Sequence, residues 1–241
     1  MSGAGCGSGS PPPPPAPASA SASASASASA GVRRGRGGGL PPLLLLTDRR
    51  AAEAAGRSLA GTVAGAVRGG VRGVVLREKD LSVRERAALA LALRGVLEPV
   101  GGVLIIASDA GLARDAGAAG VHLARDEAPP RDRTGLLVGR SCHDAAELAE
   151  AVRLGVGYVT LSPVYATASK PGYGPALGTG GLSGLVRDTP GCPPVFALGG
   201  ITPDRAAACR SSGAYGVAVM GAIMGAAHPA CVAEALLRGG S

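Results

Sequence analysis

Short apolar runs, separated by longer stretches of mixed character, recur along most of this chain. They occupy residues 43–48, 73–78, 103–108, 120–124, 136–141, 158–162, 195–200 and 216–221. Within them the Leu, Val, Ile and Ala positions are largely continuous and do not alternate with polar ones. Continuous apolar runs predict parallel strands buried on both faces. Ala-, Leu- and Arg-rich segments over 51–68, 82–98 and 110–117 place apolar residues at helical spacing. Eight strands alternating with helices predict an α/β protein, a single closed (β/α)8 TIM barrel. A doubly wound open sheet is the competing architecture, but it needs a topological switch point and usually fewer strands.

Two connections depart from the repeat. The one over 126–134 holds Pro129 and Pro130 and is too short for a good helix. The one over 162–178 is long and rich in Gly and Pro, as functional loops are.

Composition bounds the folded part. Residues 1–39 are Gly/Ser, a proline run at 11–15, a Ser-Ala alternation, and a Gly-rich end carrying Arg33, Arg34 and Arg36. With almost no large apolar side chains, this stretch is expected to be a disordered low-complexity tail. The barrel domain is expected over 40–241. The tail lacks the apolar centre of a signal peptide, and no run approaches the ~20 residues of a membrane span. The five cysteines show no CxxC spacing and three scattered histidines give no zinc spacing, so a reduced, cytoplasmic setting is expected. The formal charge of +7, three of it from those arginines, suits anionic metabolites. One Phe, four Tyr and no Trp make a poor stacking platform, so nucleic acid is not the expected partner. A homo-oligomer is left open.

In a parallel barrel the chemistry sits at the C-terminal strand ends. There the last two runs become glycine-rich: Gly199-Gly200 and Met220-Gly221. Glycines let backbone N–H groups approach an anion, and the loops after strands 7 and 8 are the usual phosphate site. Arg77 and Lys79 end the second strand on one side of it, where they suit a diphosphate or a developing anion; a solvated charge cluster is the plainer reading. Ser108-Asp109 end the third strand, and His122, Asp126 and Glu127 follow the fourth. Carboxylates there either hold Mg²⁺ or, for Asp109, cap the next helix. Ser141 either donates to a phosphate or caps the helix that begins near Asp144. Thr167, Ser169 and Lys170 place two hydroxyls and a cation in the sixth loop.

These residues fall in motifs that resemble the thiamine-phosphate synthase and thiazole tautomerase (TenI-like) family: LLLTDR at 44–49, LREKD at 76–80, IIASD at 105–109, GVHL at 120–123, GRSCH at 139–143, SPVYATASK at 162–170, ALGGI at 197–201 and GVAVMGAI at 216–223. The resemblance implies a transferase that joins hydroxymethylpyrimidine diphosphate to thiazole phosphate by a dissociative, Mg²⁺-assisted route. Arg77, Lys79 and Lys170 would be catalytic and hold the diphosphate, with Ser141 in support, and Ser108 would bind substrate on the pyrimidine side. Asp109 and Glu127 would be Mg²⁺ ligands, with Asp126 the near alternative to Glu127. Thr167, Ser169, Gly199, Gly200, Met220 and Gly221 would hold the thiazole phosphate.

The match is uneven. Val75 stands where the synthases carry a glutamine, Ser108 where they carry an asparagine, and Ala124-Arg125-Asp126-Glu127 where they read Gly-Gln-x-Asp. That erosion on the pyrimidine side fits a thiazole tautomerase or a non-catalytic thiazole-phosphate binder. Yet Pro163 occupies the place of the tautomerase acid–base histidine, which leaves His122 or His143 as the candidates for proton transfer.

Overall fold

The computed structural model describes Met1 and residues 39–167 and 175–238. The tail expected over 1–39 therefore lies almost wholly outside the described residues, and so do Ser169 and Lys170.

Eight strands form a closed, all-parallel barrel in sequence order. They are β1 (Leu43–Leu46), β2 (Gly73–Leu76), β3 (Val103–Ala107), β4 (Gly120–Leu123), β5 (Leu137–Cys142), β6 (Tyr158–Leu161), β7 (Val195–Leu198) and β8 (Gly216–Val219). Each overlaps one of the apolar runs; seven stop before the run's last residue, whereas β5 runs one residue past its own and carries Arg140 and Ser141 on the strand. The helices are α1 (Arg49–Ala54), α2 (Leu59–Arg68), α3 (Val83–Leu97), α4 (Ala110–Asp115), α5 (Ala145–Arg153), α6 (Gly178–Arg187), α7 (Pro203–Ser211), α8 (Gly221–Met224) and α9 (Pro229–Arg238).

The strands read as continuous apolar runs because the barrel has two cores. One lies inside it, built from Leu44, Leu46, Val75, Ile105, Ala107, Tyr158, Phe196 and Ala218. The other lies between sheet and helices and takes the alternate positions, such as Leu43, Leu45, Val74, Leu76, Leu104 and Ile106. A strand residue is therefore buried whichever way it points.

Local signals set the helix limits. Ser82 and Glu85 form a capping box at the start of α3, a device worth about 1 kcal/mol. The segment expected as one helix over 51–68 is two, because Gly56 takes a left-handed φ of 74° and Ser58 then caps α2 by accepting from Gly61 N–H. The connection from β4 to β5 carries no helix, as its prolines indicate. In place of one, the buried Arg140 side chain, on the outer face of β5, donates to the carbonyls of Glu127 and Arg125.

Candidate active site

A cavity of about 750 Å³ opens at the C-terminal mouth of the barrel. Arg77 and Lys79 line one side, and Gly199, Gly200, Met220 and Gly221 line another. Alternation along the end of β2 produces the first pair: Arg77 and Lys79 face the cavity, while the buried Glu78 carboxylate accepts from Arg49 on α1. Arg49 also holds Asp80 in a two-point contact, 2.9 and 2.7 Å, and the Asp80 carboxyl is held down to about 2 chiefly by that bond. The acidic members of this charged run are thus consumed outside the cavity, and its cations face inward.

The glycine loop has a tertiary reason for being glycine. Gly199 and Gly200 have φ of 94° and 62°, a region that L side chains rarely adopt. A Cβ on Gly200 would also lie 2.8 Å from Tyr165 Cβ. Arg205 holds the loop from outside by donating to the Gly200 carbonyl at 2.8 Å, with its guanidinium 4.6 Å from the centre of the Tyr165 ring. The short helix α8 begins directly after Met220.

Ser108 and Ser141 both line the cavity. Ser108 has a φ of 62°, the one non-glycine left-handed residue among those described. Serine tolerates this region less well than asparagine, and such strain clusters at functional sites. Ser141 does not cap the next helix; Asp144 does, by accepting from Glu147 N–H. Ser141 instead accepts or donates at 3.0 Å to His122 Nε2. Burial, with Lys79 and Arg77 nearby, pushes His122 down to about 4, so the ring is neutral. Thr167 lines the cavity, whereas Ser169 and Lys170 lie outside the described residues.

The two metal candidates are arranged differently from these. Asp109 is the N-cap of α4: its Oδ1 accepts from Leu112 N–H and its Oδ2 from Arg86 at 2.8 Å. Glu127 accepts from Ala124 N–H at 2.8 Å, and its other oxygen lies 4.0 Å from Lys79 Nζ. Neither reaches the cavity wall, but Asp126 does. Among the described residues no three His, Cys, Asp or Glu side chains converge as a metal cluster. The wall also holds Asp48 and His143, which the strand-end reading did not assign to substrate. Asp48 was legible as the last residue of the first run, where it also caps α1 by accepting from Ala51 N–H.

A closed parallel barrel with glycine-rich loops after β7 and β8, sharing one mouth cavity with two cations, is a (β/α)8 barrel. A family model described as thiamine monophosphate synthase matches residues 43–223. The chain belongs to that family. It is 39% identical over 201 residues to a thiamine-phosphate synthase of Albidiferax ferrireducens, covering 81% of this chain and 90% of that one. It is 36% identical over 197 residues to a thiamine-phosphate synthase of Roseiflexus castenholzii, covering 80% and 85%. The solved thiamine phosphate pyrophosphorylase of Pyrococcus furiosus superposes with a TM-score of 0.72 at 26% identity, covering 82% of this chain and 94% of that one.

Proposed function

We propose that this chain is an enzyme of thiamine biosynthesis that joins hydroxymethylpyrimidine diphosphate to thiazole phosphate, releasing diphosphate and forming thiamine phosphate. One observation carries the reading: a single cavity brings the Arg77–Lys79 pair and the Gly199-Gly200/Met220-Gly221 cradle together. Two anionic groups held within one cavity are what a transfer between two phosphorylated substrates requires. The names of the relatives point the same way.

In this reading Arg77 and Lys79 stabilise the charge that develops on the departing diphosphate, Arg by paired N–H bonds and Lys as a point charge. Lys170 adds a third cation, and the hydroxyls of Ser108 and Ser141 add neutral donors. Thr167, Ser169 and the glycine amides hold the thiazole phosphate and orient the thiazole nitrogen as nucleophile. Cytoplasmic location belongs to the same proposal; among the described residues no helix is long and apolar enough to cross a membrane.

Mg²⁺ is the ion the family implies, and the donor chemistry here fits it. Asp126 offers a carboxylate on the cavity wall, and Mg²⁺ usually takes one or two carboxylates together with substrate phosphates. Asp126 would hold it, joined by Asp109 and Glu127 only where these release Arg86 and the Ala124 N–H, and when bound it would draw charge from the diphosphate oxygens.

The tautomerase alternative is weaker on the geometry. Pro163 lines the cavity where that branch would place its acid–base histidine. His122 already has both ring nitrogens bonded, to Tyr158 and Ser141. The deciding experiment is a coupled assay with pyrimidine diphosphate, thiazole phosphate and Mg²⁺. Mg²⁺-dependent thiamine phosphate is the expected result. Thiazole-phosphate binding without product would move the chain to the tautomerase or carrier branch. Lys170→Ala is expected to abolish turnover without unfolding the chain; an unchanged kcat would remove Lys170 from the site.

A further inference from the structure

Tyr158, His122 and Ser141 form a hydrogen-bonded chain from the barrel interior to the cavity wall. Its origin is the strand register. His122 on β4 stands beside Gly139 on β5, which in turn stands beside Tyr158 on β6. The missing side chain of Gly139 lets the phenol cross β5, since a Cβ there would lie 2.5 Å from Tyr158 Oη. The crossing brings Oη to 2.9 Å from His122 Nδ1. On the other side of the ring, Nε2 is 3.0 Å from Ser141 Oγ and 3.5 Å from Thr160 Oγ1. Tyr158 is fully buried, His122 nearly so, and Ser141 stands on the cavity wall.

Counting protons gives this chain a direction. Burial raises the phenol's pKa, so Tyr158 keeps its single proton. Its partner among the described residues is His122 Nδ1. If Nδ1 carried the ring proton, the phenol proton would be left unpaired in the interior, which disfavours that tautomer by roughly tenfold or more. Nε2 therefore carries the proton and donates it to Ser141 Oγ. With that lone pair engaged, the Ser141 hydroxyl proton turns away from the ring and toward the cavity.

We propose that Tyr158 and His122 are positioning residues that lock Ser141 as a hydrogen-bond donor to an anionic oxygen of the bound substrate. A serine without this chain can rotate and present a lone pair to the anion; here that orientation is closed off. The inference rests on the reading of Ser141 as a contact of the diphosphate, and it adds the groups that set the direction of that contact.

Two measurements on the full chain test it. Long-range ¹H–¹⁵N correlation of the histidine side chains is expected to show His122 protonated at Nε2 and bare at Nδ1 at neutral pH. A ring protonated at Nδ1, or a doubly protonated ring, overturns the proposal. The second measurement is a cycle of Tyr158→Phe and Ser141→Ala, read by binding of inorganic diphosphate with Mg²⁺ and by kcat/KM. Tyr158→Phe is expected to weaken both by about tenfold, the cost of a lost oriented hydrogen bond. In the Ser141→Ala background the same change should cost little, a dependence that a merely structural tyrosine would not show. Equal losses in both backgrounds, or none in either, overturn the proposal. Should Tyr158→Phe not fold, His122→Gln takes its place in the cycle. A protein that makes no thiamine phosphate yet shows the Nε2 tautomer and the coupling in diphosphate binding would refute the synthase reading and leave the relay standing.

Discussion

Ser108 and His122 show how much one side chain's surroundings matter. Ser108 sits in left-handed backbone where the family's synthases carry asparagine, a residue that tolerates that region better. Ser108→Asn is therefore expected to stabilise the fold by up to about 1 kcal/mol, by relief of backbone strain. It should also tighten pyrimidine-diphosphate binding. Chemical denaturation and titration calorimetry would check the two effects, and a clear loss of stability would contradict the strain argument. For His122 the folded pKa is near 4, below its ordinary 6.5, chiefly through burial. As pH falls through this window the unfolded chain takes up a proton that the folded chain does not, so stability is lost with acid. The loss by pH 4 is about 3 kcal/mol. Denaturant midpoints between pH 7 and 4 should show it, and His122→Gln should flatten that limb.

Among the elements, the connections supply more of the cavity wall than the strands. The glycine loop after β7 is shaped by the segment beneath it and held by Arg205. Gly200→Ala forces a Cβ into left-handed backbone against Tyr165, and a cost of about 1–3 kcal/mol is expected. The KM for thiazole phosphate should rise with it, and steady-state kinetics would register that. The β4–β5 connection is held differently, by one buried guanidinium on two carbonyls. Lysine lacks the planar fork needed for both, so Arg140→Lys should cost about 2 kcal/mol. It should also loosen Glu127, whose carbonyl is one of the two acceptors. A thermal melt together with the Mg²⁺ dependence of turnover tests both consequences. An Arg140→Lys protein indistinguishable from wild type would show that the connection is held by other means.

Across the whole molecule, the closed sheet leaves no unpaired strand edge, and its two cores lie within the described residues. Removal of residues 2–38 is therefore expected to leave Tm and turnover unchanged. A large drop in either would assign the tail a structural part.

The chain's architecture was readable from its linear pattern. Eight continuous apolar runs can be buried on both faces only in a parallel sheet covered by helices, and their polar ends mark the mouth. The glycines at the mouth followed from their place at the ends of the seventh and eighth runs, and the inward pair Arg77 and Lys79 from period-two alternation. Folding was needed to settle what depends on neighbours distant in sequence. Asp109 faces Arg86 and its own helix rather than the cavity. Ser141 faces His122, while Asp144 caps the next helix. Tyr158 is in sequence only the first residue of the sixth run. It becomes the head of a proton-ordered chain only because the strand register places Gly139 between it and His122. Hydrophobic period is a local property of the chain, so it can be read residue by residue. The partner of a polar group is set by register and close packing, which exist only once the barrel has closed.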